Sequence, residues 1–193
     1  MNAAALVLAA GGSRRLGQPK QLLDWGGRLL LEEVAAAVAG WGVSPVVVVL
    51  GAHAEEILER ADLGEAMVVV NPEWEEGLAS SLRAGFDLLT RRREAEWAFV
   101  VLADQPNIPA DVPPALLAAA ADSGRPAVVP VYRYQRGNPV LFGRELWERL
   151  MSLEGDAGAA DLLRAHPGWV HEVRFDHAAP ADIDVPTDLP GPS

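Results

Sequence analysis

Three basic side chains lie close together in a glycine-rich segment that could bind phosphate groups. Residues 9–20 read Ala-Ala-Gly-Gly-Ser-Arg-Arg-Leu-Gly-Gln-Pro-Lys, which places Arg14, Arg15 and Lys20 within seven residues. Glycine residues let successive backbone N–H groups turn towards one anion. The whole chain carries 27 acidic against 16 basic side chains, so this positive charge is a local concentration. The segment predicts a phosphate site; a flexible surface loop with solvated arginine side chains is the alternative.

The spacing of this loop differs from that of two common nucleotide-binding motifs. A P-loop has its lysine directly after the second glycine, whereas Gln18 and Pro19 separate Gly17 from Lys20. The dinucleotide-binding fingerprint requires Gly-x-Gly-x-x-Gly, which the segment does not contain. The pattern therefore indicates a phosphate-binding loop of another kind.

Aspartate residues offer a second kind of chemistry, the binding of a metal ion. Asp104 directly follows the apolar run 97–103. A carboxylate at the edge of a core is costly unless it is paired or bound to a metal, and Mg²⁺ typically takes one or two carboxylates together with substrate phosphates. Capping of the following segment is the alternative role. A second acidic segment at 181–188, taken alone, is typical of an acidic tail.

Polar side chains also follow the apolar run 66–70. Asn71 comes directly after it, and Ser80 and Ser81 lie near the predicted start of a helix. Free N–H groups at a helix N-terminus favour anions, and hydroxyl groups there can bind a ligand or cap the helix. Both interpretations remain open for the two serine residues.

The elements that must position these residues alternate along the chain. Short runs rich in valine and alanine predict strands buried on both faces, at 4–9, 46–50, 66–70, 97–103 and 127–131. Segments with helical spacing lie between them, at 29–38, 54–60, 78–89 and 113–121. Repeated strand–helix–strand units predict an α/β protein with a three-layer, doubly wound and mainly parallel sheet. In such sheets, ligands bind beyond the carboxyl ends of the strands.

The last third of the chain has a different character. The segment 132–142 contains glycine and proline, and we predict an extended, irregular excursion there. Helices are predicted at 145–151 and 157–164 and a late strand at 169–175, followed by a tail whose final residues we expect to be loose. Because no repeat and no long linker is present, we predict a single domain over 1–193.

Composition argues against several classes of function. The formal net charge of −11 argues against a broad grip on nucleic acid or on an anionic membrane. The chain has no cysteine, which excludes thiolate metal sites and cysteine nucleophiles. Its apolar runs are far shorter than the roughly 20 residues of a membrane span, and its first residues do not resemble a signal peptide. We therefore expect a cytoplasmic protein with no nucleic-acid partner and no membrane partner.

The glycine-rich loop resembles the signature Leu-Ala-Ala-Gly-x-Ser-x-Arg-Met-Gly-x-Pro-Lys-x-Leu-Leu of MobA-like nucleotidyltransferases, with Leu16 in place of methionine. The resemblance continues through Leu-Ala-Asp-Gln-Pro at 102–106 and Asp-Ile-Asp-Val-Pro at 182–186. It is greatest to the molybdenum cofactor cytidylyltransferase branch, and Ala10 favours CTP because the guanylyltransferase branch has glycine there. The resemblance implies a Rossmann-like nucleotidyltransferase fold, with a nucleotide-binding half at about 1–110 and an acceptor-binding half at about 111–189.

The resemblance also implies roles for individual residues. Arg15 and Lys20 would bind the phosphates and, with Asp104, form the catalytic group. Asp104 and Asp184 would hold Mg²⁺, whereas Asp182 is interpreted as a solvated or capping residue. Further nucleotide contacts are implied for Leu8, Ala10, Gly11, Gly12, Ser13, Asn71, Ser80 and Ser81.

The acceptor-binding half departs from the family pattern at two positions. Residues 136–140 look like Arg-Gly-His-Pro-Val with Asn138 in place of histidine, and residues 155–160 look like Gly-Asp-x-Gly-Ala-Arg with Ala160 in place of arginine. The resemblance assigns Arg136, Asn138 and Asp156 to the acceptor. Because an arginine would form charge-assisted hydrogen bonds that alanine cannot, the identity of the acceptor is the open part of the assignment.

The resemblance implies transfer of CMP from CTP to the terminal phosphate of a molybdopterin-type acceptor, with Mg²⁺ as cofactor and release of pyrophosphate. Such a product implies transient contact with a molybdoenzyme or its chaperone. Two alternatives stay open. One is a nucleotidyltransferase that uses GTP or another acceptor, and the other is a non-catalytic protein that binds or delivers molybdenum cofactor.

Overall fold

A computed structural model describes residues 1–13 and 17–183, and this part of the chain contains ten strands and six α-helices. In chain order the strands are β1 (Ala3–Ala9), β2 (Asp24–Trp25), β3 (Arg28–Leu29), β4 (Val46–Leu50), β5 (Met67–Val70), β6 (Trp97–Leu102), β7 (Ala127–Tyr132), β8 (Gln135–Arg136), β9 (Val140–Gly143) and β10 (Val170–Phe175). The helices are α1 (Leu30–Ala39), α2 (Ala54–Arg60), α3 (Leu78–Arg92), α4 (Val112–Ser123), α5 (Trp147–Met151) and α6 (Ala159–Ala165). In this part of the chain, none of the helices is long and apolar enough to cross a membrane.

The central sheet has the strand order β10-β7-β9-β6-β1-β4-β5, with β8 paired to β7. Strand β1 is parallel to both β4 and β6, β4 is parallel to β5, and β7 is parallel to β10. From β1 the chain moves outwards to β4 and β5, and it then returns to the other side of β1 to form β6. Open α/β sheets bind ligands at such a reversal of strand order, beyond the carboxyl ends of the strands.

Two hydrophobic layers cover the two faces of the sheet. Val7 of β1 faces a layer that includes side chains from α1, α2 and α4. Its neighbour Leu6 faces the opposite layer, where Phe86 of α3 and Trp147 of α5 are fully buried. This alternation along one strand buries both faces, as the valine- and alanine-rich runs predicted. The predicted three-layer, mainly parallel α/β fold is confirmed.

The prediction of an extended, irregular excursion over 132–142 is confirmed for the extended backbone and wrong for residues 140–142, which belong to a regular strand of the sheet. Strand β9 inserts between β6 and β7 and runs antiparallel to both, and all four of its residues are buried. Gly137 and Pro139 precede this strand and do not interrupt it. Four residues are too few to establish a periodicity, so pairing with two neighbouring strands decides their conformation.

A glycine in α3 lets this helix lie directly against β1. A Cβ atom at Gly85 would overlap the side chain of Leu6, which is fully buried. We expect Gly85→Ala to lower the free energy of unfolding by about 1–3 kcal/mol through overpacking, although alanine is the better helix former. Urea denaturation measures the change, with Arg83→Ala on the same helix as the control, expected to shift stability by less than about 0.5 kcal/mol. Equal stability of Gly85→Ala and the wild type would contradict this account of the packing.

Candidate active site

A cleft of about 420 Å³ opens at the carboxyl ends of β1 and β6. The sheet topology brings residues to this cleft that are far apart in the sequence. The predicted site residues that line it are Leu8, Ala10, Gly11, Gly12, Lys20, Ser81, Asp104 and Asp156. Two further predicted residues, Arg15 and Asp184, lie outside the described residues.

The loop that follows β1 is closely packed against its neighbours. The N–H of Ala52 donates a hydrogen bond to the Ala10 carbonyl at 3.1 Å, so the chain after β4 runs beside the loop. A Cβ atom at Gly51 would lie 2.8 Å from the Ala10 oxygen and 2.5 Å from Cβ of Trp74, and therefore only glycine fits there. The Trp74 ring also packs over Gly12, where an added Cβ would lie 3.1 Å from it. Residues 10–12, which begin the loop, are thus held in place at the edge of the cleft.

The buried side chain of Gln21 forms hydrogen bonds with the backbone at the start of this loop. Gln21 was not among the predicted site residues. Its side chain is 2 % exposed, and Nε2 donates hydrogen bonds to the carbonyl oxygens of Ala9 at 2.6 Å and Gly11 at 3.0 Å. The N–H of Lys20 donates a hydrogen bond to the hydroxyl of Ser13 at 2.9 Å, and this bond connects the end of the loop with its beginning. In the sequence, only its position directly after Lys20 could have drawn attention to Gln21.

The centre of the cleft holds a close pair of opposite charges. Lys20 Nζ lies 2.5 Å from Oδ2 of Asp104, and the two side chains are 20 % and 21 % exposed. Lys20 is the single lysine of the chain, whose other basic residues are all arginine. A lysine ammonium is a compact point charge on a flexible stem, which suits an exchange between a carboxylate and a phosphate oxygen. The structure thus brings two of the predicted catalytic residues into direct contact.

Asn71 and Ser80 support the cleft without lining it. The amide of Asn71, which is 3 % exposed, donates to the hydroxyl oxygens of Ser80 at 2.8 Å and Ser81 at 3.2 Å. Its carbonyl oxygen accepts the N–H of Glu73 at 3.0 Å, and the Ser80 hydroxyl donates to the Gly77 carbonyl at 2.8 Å. These bonds brace residues 71–77, and of the three predicted side chains Ser81 alone lines the cleft.

The turn that contains Asp156 packs against the start of α3, at the edge of the cleft. Gly77, with φ +108°, touches the Gly155 carbonyl so closely that a side chain would clash there. The N–H of Ala79 donates to the same carbonyl at 3.1 Å. This close approach holds the turn at 155–156 against α3 and places Asp156 in the lining of the cleft.

The last described residues lie directly beside Asp104. The N–H of Ile183 donates to the Asp104 carbonyl at 2.9 Å, and Nε2 of Gln105 donates to Oδ1 of Asp182 at 2.6 Å. Ile183 is 2 % exposed and packs in a small apolar cluster that includes Leu30. Asp182 is exposed, which agrees with its interpretation as a solvated residue, and it also accepts a hydrogen bond from the side chain that follows Asp104. Residues 182 and 183 therefore lie beside the carboxyl end of β6.

The donor set is suited to a divalent cation that also binds substrate oxygens. In the described part of the chain, no group of three or more His, Asp or Glu residues could hold a metal ion alone. Asp104 nevertheless presents a partly exposed carboxylate to the cleft. Mg²⁺ is commonly bound by one or two carboxylates and completed by substrate phosphates, so Asp104 fits this class of site.

A second cavity of about 340 Å³ adjoins the cleft and contains two predicted acceptor residues, Arg136 and Asn138. Leu8, Leu78 and Leu102 line both cavities and mark their junction. The segment at Asn138 is held by Tyr132, whose hydroxyl donates to the Asn138 carbonyl at 2.6 Å. Burial, with a smaller contribution from the nearby Asp111 carboxylate, raises the pKa of Tyr132 above its usual value.

Comparison with known proteins places these features in context. Residues 5–171 match the model of the MobA-like NTP transferase domain. The chain is 34% identical to the nicotine blue oxidoreductase of Paenarthrobacter nicotinovorans, over 93% of this chain and 91% of that protein. It is 25% identical to the molybdenum cofactor cytidylyltransferase of Escherichia coli strain K12, over 95% and 92% of the two chains.

Solved structures agree with this similarity. A homologue of Mycobacterium tuberculosis Rv0371c from Mycobacterium sp. strain JC1 superposes with a TM-score of 0.85 at 33% identity, over 96% of this chain and 92% of that one. The complex of Rv0371c with manganese, from M. tuberculosis H37Rv, has a TM-score of 0.83 at 26% identity, over 97% and 96%.

Proposed function

Because the chain belongs to the MobA-like NTP transferase family, we propose that it transfers CMP from CTP to the terminal phosphate of a molybdopterin-type acceptor. The observation that carries the proposal is the contact between Lys20 and Asp104 in a cleft whose wall is a glycine-rich loop. In such a site, the lysine ammonium can bind phosphate oxygens and the carboxylate can bind a divalent metal. Similarity to the E. coli cytidylyltransferase and the alanine at position 10 support CTP as the donor.

The proposed reaction needs positioning and charge rather than a general base. A phosphate monoester is ionised at neutral pH, so its oxygen can attack the α-phosphate of CTP directly. The new P–O bond forms as the bond to pyrophosphate breaks, and pyrophosphate leaves with the electron pair. Lys20 and the loop N–H groups hold this leaving group, with Arg15 as a further proposed contact. Binding of the triphosphate must therefore exchange the Asp104 partner of Lys20 for phosphate oxygens.

Asp104 is the described residue that would hold the metal, with Asp184 as the second proposed ligand. A bound Mg²⁺ supplies positive charge beside the reacting phosphate and lowers the repulsion between two anions. The manganese complex of the Rv0371c relative supports a divalent cation in this fold. Transient contact with a molybdoenzyme or its chaperone, which would receive the product in the cytoplasm, belongs to the same proposal.

The direct test measures pyrophosphate release from each of the four ribonucleoside triphosphates with Mg²⁺, with and without purified molybdenum cofactor. We expect release from CTP only when the cofactor is present. Equal rates with GTP would overturn the choice of donor. Cofactor binding by calorimetry without any pyrophosphate release would instead favour a binding or delivery protein.

A second candidate function is reduction of a flat aromatic heterocycle. It is favoured by the apolar second cavity together with 34% identity to the nicotine blue oxidoreductase. In such a reaction a reduced nicotinamide dinucleotide would donate a hydride and the solvent a proton to the ring. The loss of nicotine blue absorbance in the presence of NADH or NADPH tests this reaction. If the protein reduces nicotine blue but releases no pyrophosphate from CTP, the second proposal replaces the first.

Gln21→Leu is expected to raise KM for CTP about tenfold and to change kcat little. Leucine has a similar size, but it leaves two loop carbonyl groups without their buried donor, which disturbs the binding surface. Steady-state kinetics measure both constants, and Gln135→Leu on the exposed strand β8 is the matched control, with unchanged values expected. A fall in kcat at constant KM would instead place Gln21 in the chemical step.

A further inference from the structure

The two edges of the central sheet carry different side chains. Strand β10 lies at one edge and β5 at the other, and in the described part of the chain β5 pairs only with β4. Strand β10 contains His171, Glu172 and Arg174, whereas β5 contains one methionine and three valine residues. Charged side chains hinder the pairing of an edge strand with another chain. Strand β10 therefore has this protection, and β5 lacks it.

Strand β5 is less covered than the strand beside it. Four of the five residues of β4 are buried, but every residue of β5 is at least partly exposed. Val70 is 50% exposed, and none of its neighbours in the strand is charged. Met67 and Val69 pack on the α3 side of the sheet, and Val68 packs on the opposite side. An apolar strand with one open edge is suited to pair with a further strand.

Opposite charges flank the two ends of β5. Helix α3 runs back along the strand, and the guanidinium of Arg92 at the end of this helix lies 3.2 Å from the sulfur of Met67. The exposed Glu73 stands beyond the other end of β5, where its N–H donates to the side chain of Asn71. Arg92 also lies 3.4 Å from Glu94, but an exposed ion pair of this kind is easily exchanged for another. The strand thus has a cation at its start and an anion beyond its end.

We propose that β5 pairs antiparallel with β5 of a second copy of this chain, about a two-fold axis at Val69. The two central sheets then form one continuous sheet, with both α3 helices on the same side. Directly opposite residues of antiparallel strands point to the same side of a sheet, so Val69 can face Val69 of the second copy. Val70 then lies opposite Val68 of the second copy, and this contact covers its exposed side chain.

The same register joins the flanking charges. Met67 lies opposite Asn71 of the second copy, so Arg92 comes close to Glu73 of that copy. The interface is isologous, and the pair therefore forms twice. A parallel pairing would place Arg92 beside Arg92, so the complementary charges select the antiparallel orientation. Because only a short strand and its flanks meet, the interface is small, and we expect a dimer that dissociates at micromolar concentrations.

Cysteine cross-linking tests the register, since the chain has no cysteine of its own. Val69→Cys should form a disulfide-linked dimer when it is oxidised with copper phenanthroline, because the two thiols face each other across the axis. The matched control is Val173→Cys, at a partly buried valine of the opposite edge strand β10, which should stay monomeric. Absence of the cross-link in Val69→Cys, or equal or stronger cross-linking of the control, would overturn the proposal.

Charge exchange tests the contact without a cysteine. Sedimentation equilibrium should show that Arg92→Glu and Glu73→Arg each raise the Kd of the dimer about tenfold or more, because each variant brings like charges together twice. The double variant restores both pairs and should return Kd to within about threefold of the wild-type value. Arg174→Glu makes the same charge change on β10 and should leave Kd unchanged.

The three substituted positions are exposed, and circular dichroism checks that each variant is folded. Wild-type protein that stays monomeric at about 100 μM would overturn the proposal. A double variant that dimerises no more tightly than the single variants would also overturn it, because the charges would then not meet as the register requires.

Discussion

Lys20→Ala is expected to lower kcat for CTP-dependent pyrophosphate release about 10²–10³-fold, as the removal of one preorganised charge-stabilising group typically does. Of the described residues that line the cleft, Lys20 alone is basic. Its loss removes the cation that would neutralise the leaving pyrophosphate. It also leaves the Asp104 carboxylate without its ammonium partner at 2.5 Å. Single-turnover kinetics with saturating CTP measure the chemical step directly.

Two measurements separate this catalytic effect from simple unfolding. Lys20→Arg keeps the charge with a different geometry and should recover part of the rate, and urea denaturation of Lys20→Ala measures any loss of stability separately. Because Lys20 is the only lysine, an amine reagent can modify only this side chain and the N-terminal amine. Modification by pyridoxal phosphate and borohydride should be prevented at Lys20 by CTP. Full activity of Lys20→Ala would contradict the phosphate-binding role.

Asp104→Asn is expected to lower kcat about 10³-fold and to weaken binding of Mn²⁺ in the presence of CTP. The amide has the same shape but no charge, and a hard cation prefers a carboxylate oxygen. Electron paramagnetic resonance of free Mn²⁺ measures the affinity independently of turnover. The matched control is Asp122→Asn on the exposed surface of α4, for which both values should stay at the wild-type level. Wild-type Mn²⁺ affinity in Asp104→Asn would remove Asp104 from the proposed metal site.

The strands within residues 1–110 could be predicted closely because most of them are short valine- and alanine-rich runs. The prediction of a strand at 46–50 agrees with β4, and that at 66–70 differs from β5 by one residue. Burial on both faces of a parallel sheet demands such continuous apolar runs, so the pattern is local and visible. The alternation of these runs with helical segments was enough to predict the position of the cleft at the strand ends.

The second half was less predictable because its structure depends on pairing between distant segments. Strand β9 has only four residues and is stabilised by β6 and β7 on its two sides. Asp182 resembled part of an acidic tail, but it accepts a hydrogen bond from Gln105, which lies 77 residues away. Gln21 likewise was identified only by the carbonyl groups that it contacts. Local spacing carries no information about such contacts.

From one basic, glycine-rich loop in an acidic chain, the sequence by itself predicted a phosphate site, and it determined that a carboxylate follows the strand beside that loop. Residue types and short spacings are sufficient for this, because backbone N–H groups, ammonium and carboxylate have fixed chemical preferences. Only the tertiary structure decided that Lys20 and Asp104 touch and that a second cavity, lined mostly by apolar residues, adjoins the cleft. Both features arise where separate strands and helices meet. The residues that form them lie far apart in the sequence, so local patterns do not show that they are neighbours.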